Sequence, residues 1–467
     1  MSSAAYFLLY EPKLVVLSQD ERRVVDVLID VVRLSGQLYV TQVNKQYSGG
    51  NLYPHNASKK EIAHAARANP EILSHFTIVQ RSHDSDKLMA IPYHLHFHAE
   101  LREIEQRLKK AYALSSDRPL RRILKVQIQA LHTNTYEEAL VENMKVDSQR
   151  IRFCLGPMEP YEDKLFYRKY GFQSRVSLLN IDLTARCQEI KDVILRHRRI
   201  AYPEEQIQFL EKTRVCVEDV IAASGLMVDY NFTGQTLPNR QDLIEKNGAI
   251  ATIYFPMLHS TFQTFHLGVF QSVFERRFQD GFSRPLLERA FFYVVLLHEI
   301  SRFLTKFRTG VQRLQGLYPI FNEMLTELLA IRLASYLLLK NVITDKEFEA
   351  VLILYICRLF EEFEDTTSDS VLEAYQNNKM KAFVAGNVIM LNVFLRSGSI
   401  RHHGGISWPN FVKVFLEIEH MILPTERIFA EGSYQDALRF IRKNESLEGM
   451  KRLHPFQHAR GKGEANA

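Results

Sequence analysis

Residues Ala290-Phe-Phe-Tyr-Val-Val-Leu-Leu297 run straight into His298-Glu299-Ile300-Ser301-Arg302, and the reading of that junction decides how the rest of the chain is understood. A helix carrying His, Glu and a second His four residues after the first turns two imidazoles toward a metal ion. The Glu beside them serves as general base on a metal-bound water. Here the fifth position is Arg302. A guanidinium has no lone pair to offer and keeps its positive charge, so it neither ligates a cation nor welcomes one nearby. The frame of a metal-site helix is present and one ligand is missing. Taken alone, an imidazole behind a run of apolar residues is also what a satisfied buried histidine looks like.

Composition bounds the rest. The chain has 467 residues, 46% hydrophobic and 24% charged, within the range of a folded soluble protein. That length suits two or three domains or one large bilobal unit. Gly (20) and Pro (15) are sparse, which favours helices over a turn-rich β fold. The formal charge of +5 is spread along the chain, and only 442–462 is locally basic, so no nucleic-acid surface is expected. No apolar run approaches the roughly 20 residues that span a bilayer. Residues 1–17 lack a basic start, an apolar core and a cleavage site, so the expectation is a cytoplasmic protein with no membrane partner. Cys154, Cys187, Cys216 and Cys357 form no CxxC pair and read as free thiols in a reducing compartment.

Working outward, 15–46 reads as a helix and 47–51 as a loop, with Asn56 or Ser58 capping the next helix. Residues 75–92 alternate like a hairpin around 83–86. From Tyr93 to about Leu140 the period is helical, broken at 115–119, where Ser116 or Asp117 can cap. Tyr93-His-Leu-His-Phe-His98 looks like a metal cluster, but histidines two apart share a face only on a strand, and a helix starts here. Residues 150–155 and 173–181 are β-like, 183–223 returns to helix, 231–247 is loop-rich, and 250–255 reads as a strand or a buried segment. From 258 onward the chain reads as helical, interrupted at 398–405, where Arg401-His-His403 is expected to sit solvated in a Gly-rich loop.

Several separated blocks resemble the dipeptidyl peptidase III family, zinc exopeptidases that remove dipeptides from peptide N-termini. They are Asn51-Leu-Tyr-Pro54, Asn69-Pro-Glu-Ile-Leu-Ser-His-Phe-Thr-Ile-Val79, Ala90-Ile-Pro-Tyr93, Gly156-Pro-Met-Glu-Pro-Tyr-Glu-Asp163, Leu237-Pro-Asn239 with Gly248, His298-Glu299 with Glu327, and a stretch ending in Gly432-Ser-Tyr-Gln-Asp-Ala437. The blocks keep the family's order over most of 50–440. The resemblance implies a predominantly helical α+β fold with a cleft between two lobes. Over 1–250 lies a mixed α/β lobe with the substrate-recognition-like strand. Over 251–445 lies a helical lobe with the degenerate zinc motif, and 446–467 is a basic flexible tail.

The resemblance also assigns roles. His298 and Glu327 match zinc ligands, and Glu299 matches the water-activating carboxylate. The second histidine falls on Arg302, or on Phe303 in a six-residue form of the motif, and neither binds zinc. Glu159 matches the carboxylate that meets a peptide's terminal ammonium, and Tyr161 the tyrosine that hydrogen-bonds the reacting carbonyl. Asn239 and Thr236 fall where the family has two asparagines, and Lys379 where it has a late histidine. The expectation is a zinc-free, catalytically inactive relative without a cofactor, holding a peptide or protein ligand in its interlobe cleft. In it Glu299 pairs with Arg302, or Arg302 with Glu327. The alternative is an active zinc-dependent enzyme releasing N-terminal dipeptides through an unrecognised third ligand. A third reading is a subunit whose fold serves only protein–protein assembly.

Overall fold

The computed structural model describes residues 6–10, 17–82, 84–145, 150–163, 165–198, 204–238, 241–305, 309–360, 370–376, 380–403 and 406–447. The chain divides into two compact units. One comprises Met1–Cys187 with Lys212–Met257, the other Gln188–Glu211 with Leu258–Ala467. The expected boundary near 250 is thus crossed by an excursion, 188–211, that packs with the second unit.

The first unit is organised by the helix Gln19–Gln42. Ser18 accepts from the Glu21 amide and Glu21 reaches back to Ser18, a reciprocal cap that satisfies two otherwise orphaned donors. Val24, Val25, Leu28, Val31, Val32, Leu38 and Tyr39 form its buried face. At Gly36 an added Cβ would stand 3.0 Å from the Tyr6 carbonyl and 3.1 Å from Ser224 Cβ, so the small residue lets helix and strand approach closely. Ser58 caps Lys59–Ala68 and Asp117 caps Arg118–Thr133, as the sequence predicts.

The strands, in chain order, are β1 (Phe7–Leu9), β2 (Thr77–Arg81), β3 (Leu88–Pro92), β4 (Ile151–Glu159), β5 (Gly171–Leu179), β6 (Thr213–Gly225), β7 (Gly234–Leu237), β8 (Ala249–Tyr254), β9 (Ile400–His403) and β10 (Ile406–Pro409). β2 and β3 form the expected hairpin, Thr77 opposite Pro92. The main sheet runs β4-β5-β6-β8-β7, with β1 alongside β6, and all its pairs are antiparallel except β6 with β8. Its strand β6 lies where a helix is expected, and β7 and the helix Gln241–Asn247 replace much of the expected loop. Both faces of the sheet are covered, so β6 shows no alternation of apolar and polar residues that would mark it.

One face packs Ile151, Phe153, Leu155, Phe172, Val176 and Ala222 into the core shared with the long helix. The other face carries Arg152, Arg175, Ser177 and Glu218, all at most 3% exposed. Arg152 Nε and Arg175 Nε each donate to Glu218 at 2.7 Å, and Ser177 Oγ donates to it at 2.6 Å. Burial alone would raise the Glu218 carboxyl, but Arg175 and Arg152 hold it far below the usual carboxylate range.

The second unit is mainly helical. Tyr318–Leu339 lies at its centre and packs against Arg284–Ser301, Asp345–Leu359, Ala382–Ser397 and Phe411–Glu431. Arg313 tethers the C-terminal end of Phe411–Glu431 through the carbonyls of Phe429 and Ala430 at 2.8 and 2.6 Å. Within the expected loop at 398–405, Ile400–His403 is instead strand β9, paired with β10, with Arg401 opposite Trp408. Among the described residues no helix is long and apolar enough to cross a membrane, and all four cysteines are buried free thiols.

Candidate functional site

The motif helix, Arg284–Ser301, begins with Pro285 in its first turn, where a missing N–H costs nothing. Its apolar run makes it a core element, and it ends by bringing His298, Glu299 and Arg302 beside Glu327 of Tyr318–Leu339. His298 is 7%, Glu299 5% and Glu327 6% exposed. His298 Nδ1 lies 2.7 Å from Glu327 Oε1, and Arg302 Nε lies 3.2 Å from His298 Nε2. A carboxylate only accepts and a guanidinium only donates, so the ring carries its proton on Nδ1 and receives Arg302 on Nε2.

Two further residues complete the cluster. Glu323 takes Arg302 Nη2 at 3.2 and 3.4 Å, and Arg358 Nη2 stands 2.9 Å from Glu327 Oε1. Glu299 lies 4.0 Å from Arg302 Nε. The expected pairing of Arg302 with Glu327 therefore gives way to Glu323 for Arg302 and Arg358 for Glu327. Burial pushes the Glu327 carboxyl up, yet Arg358, His298 and Arg302 pull it down to about 2. The Glu323 partner was within reach of sequence reasoning, because it lies one turn before Glu327 on the same helix face. Nothing in the sequence pointed to Arg358.

These residues do not fit a zinc ion. Three protein ligands and an open position make a catalytic site. The one lone pair that His298 could offer already receives Arg302, and the oxygen of Glu327 facing His298 already faces Arg358. Glu327 Oε2 has no hydrogen-bond partner among the described residues, but a water would satisfy it without asking two guanidinium groups to share space with a dication. Among the described residues no group of three His, Cys, Asp or Glu side chains is placed to hold a metal ion, and the histidines of 93–98 lie on helices.

In the first unit, Glu159 ends β4, 3% exposed. Gln235 Nε2 of β7 donates to Glu159 Oε1 at 2.8 Å. Gln235 Oε1 accepts from Gln173 Nε2 and from Tyr254 Oη, both at 2.9 Å. β4 and β7 are the two ends of the strand order, so the Glu159–Gln235 contact requires the sheet to curl until its ends meet. Gln235 was missed from sequence because its segment reads as loop, and Gln173 and Tyr254 because strand spacing alone does not show which strands the sheet brings together. Tyr161 stacks near Tyr230 and Phe232, with ring centroids 5.3 and 5.8 Å away, and its carbonyl accepts Tyr230 Oη at 2.9 Å. Thr236 is buried in β7 opposite Ala251. Asn239 and Lys379 lie outside the described residues.

The acidic residues that follow Tyr161 are scaffold. Asp163 accepts the amides of Phe166, Arg168 and Lys169 and the Tyr53 hydroxyl, while Glu162 accepts the Asn44 amide and Lys45.

Solved structures match the fold of this chain along nearly its whole length. Dipeptidyl peptidase III from Caldithrix abyssi superposes with a TM-score of 0.79 at 19% identity, covering 97% of this chain and 94% of that one. The dipeptidyl-peptidase III of Corallococcus sp. strain EGB gives 0.76 at 17% identity, over 98% and 92%. The fold is that of dipeptidyl peptidase III. Among curated proteins, Nudix hydrolase 3 of Arabidopsis thaliana is 27% identical over 161 residues, which takes in 29% of this chain and spans only 21% of that relative. No protein-family model matches the chain. Within the dipeptidyl peptidase III fold, then, the mixed unit carries Glu159, Tyr161 and Thr236, and the helical unit carries the His298 cluster.

Proposed function

We propose that this chain is a non-hydrolytic relative of dipeptidyl peptidase III that binds a peptide or protein segment without cleaving it. The observation that carries the reading is Arg302 Nε donating to His298 Nε2, the atom through which that imidazole would have to hold a metal. Zinc in such a site lowers the pKa of a bound water from about 15.7 to about 7 and polarises the scissile carbonyl, and Glu299 alone replaces neither effect. Binding asks for less. Glu159 is a buried carboxylate suited to a terminal ammonium, and Tyr161 offers a hydroxyl to a backbone carbonyl. No cofactor is required.

Elemental analysis of the purified protein, paired with a dipeptide-release assay, tests the first half. The expected result is metal well below one equivalent and no release, with Glu299→Gln indistinguishable from wild type. Stoichiometric zinc with release that Glu299→Gln abolishes would establish the hydrolase instead. Calorimetric titration with a free-amine peptide and its N-acetylated form tests the second half. Glu159→Gln should weaken the free-amine peptide about tenfold, or about 1.4 kcal/mol, and leave the acetylated one unchanged.

A further inference from the structure

We infer that Arg358 and Arg302 form a built-in cationic clamp that does for three helices of the second unit what a bound ion would otherwise do. The inference deepens the non-hydrolytic reading and rests on it. Glu323 and Glu327 lie one turn apart on Tyr318–Leu339, and each faces an arginine from a different helix. Arg302, at the end of Arg284–Ser301, takes Glu323, and Arg358, near the end of Asp345–Leu359, takes Glu327. His298 lies between them, donating to Glu327 and accepting from Arg302.

Arg358 is itself held in place, since its carbonyl accepts Asn387 Nδ2 at 3.0 Å from Ala382–Ser397. Three carboxylates, Glu299, Glu323 and Glu327, thus meet two guanidinium groups in a cluster whose carboxylates are at least three-quarters buried. Unneutralised, buried carboxylates so close together would repel one another and force the helices apart. Arg358 and Glu323 are positioning residues in this account, holding His298 and Glu327 where they now stand.

The test is a double-mutant cycle read by thermal melting in the presence of EDTA. Arg358→Met should lower the melting temperature by about 6 °C or more, because it strands the Glu327 charge. Arg358→Met combined with Glu327→Gln should recover at least half of that loss, and Arg358→Lys, which keeps the charge, should lose less than Arg358→Met. If Arg358 only fills space, the double variant will lose the sum of the two single losses, and that result overturns the clamp. The outcome is separable from the reading beneath it. Wild-type protein that takes up zinc sinks the non-hydrolytic proposal, whereas additive losses in zinc-free protein sink only this one.

Discussion

Lys169 offers a sharp test of the interior of the first unit, and Lys169→Met is the perturbation. Its side chain is fully buried, with Nζ donating to Thr77 O at 2.7 Å, Thr77 Oγ1 at 2.6 Å and Ser74 O at 3.3 Å, above the Tyr53 ring at 5.1 Å. Burial pushes its amine down from 10.5 to about 7, with Asp163 and Glu71 opposing. The folded value lies below the unfolded one, so between about pH 7 and 10.5 the unfolded chain holds a proton that the folded chain has released. Stability from this group therefore rises with pH across that window, by about 1.4 kcal/mol per unit, and is lowest below pH 7. Between pH 7 and 9 that amounts to about 2.3 kcal/mol, because at pH 7 the folded amine is still half protonated. Methionine keeps the length of the side chain and removes the proton.

Urea unfolding of wild type and Lys169→Met, at intervals from pH 6.5 to 9, should show the wild type gaining on the variant by that amount. Met leaves Ser74 and Thr77 without their donor, a loss that is constant with pH and so drops out of the slope. Parallel stability curves would refute the reasoning. They would mean that two carbonyls, a hydroxyl and an aromatic face solvate the ammonium as well as water does.

Two further predictions concern the main sheet. Glu218→Gln leaves Arg152 and Arg175 facing each other without a carboxylate, and should cost about 3–5 kcal/mol in chemical denaturation; replacing all three residues together with apolar ones should restore most of it. Gly225 has φ +74° and ψ −144°, and an added Cβ would stand 2.3 Å from the Phe172 carbonyl. Gly225→Ala should therefore lower the thermal midpoint by several degrees through a strain of about 1–3 kcal/mol, before the clash is counted.

Much of the first unit was legible in the chain because its signals are local. Ser58 and Asp117 announce their helices, and Thr77–Arg81 with Leu88–Pro92 alternates as a hairpin should. The strand Thr213–Gly225 was not, because Glu218, its most polar marker, is buried against Arg152 of β4 and Arg175 of β5, which sequence spacing cannot place. The hairpin strands Ile400–His403 and Ile406–Pro409 were missed for a related reason, since four-residue strands beside a Gly-rich stretch read as loop. At the candidate site the loss of a ligand was visible at Arg302. What takes its place was not, since Arg358 meets Glu327 across 31 residues and a helix packing that no periodicity encodes.

The amides around Glu159 have a direction. Gln173 and Tyr254 both give hydrogens to the oxygen of Gln235, whose nitrogen then gives one to the carboxylate. Turning Gln235 over would set its oxygen against Glu159, so the relay runs one way and terminates in negative charge. If a peptide binds there as proposed, sign would screen it before shape matters: an ammonium or an amide N–H would find a partner, and a phosphate or a free carboxylate would find repulsion.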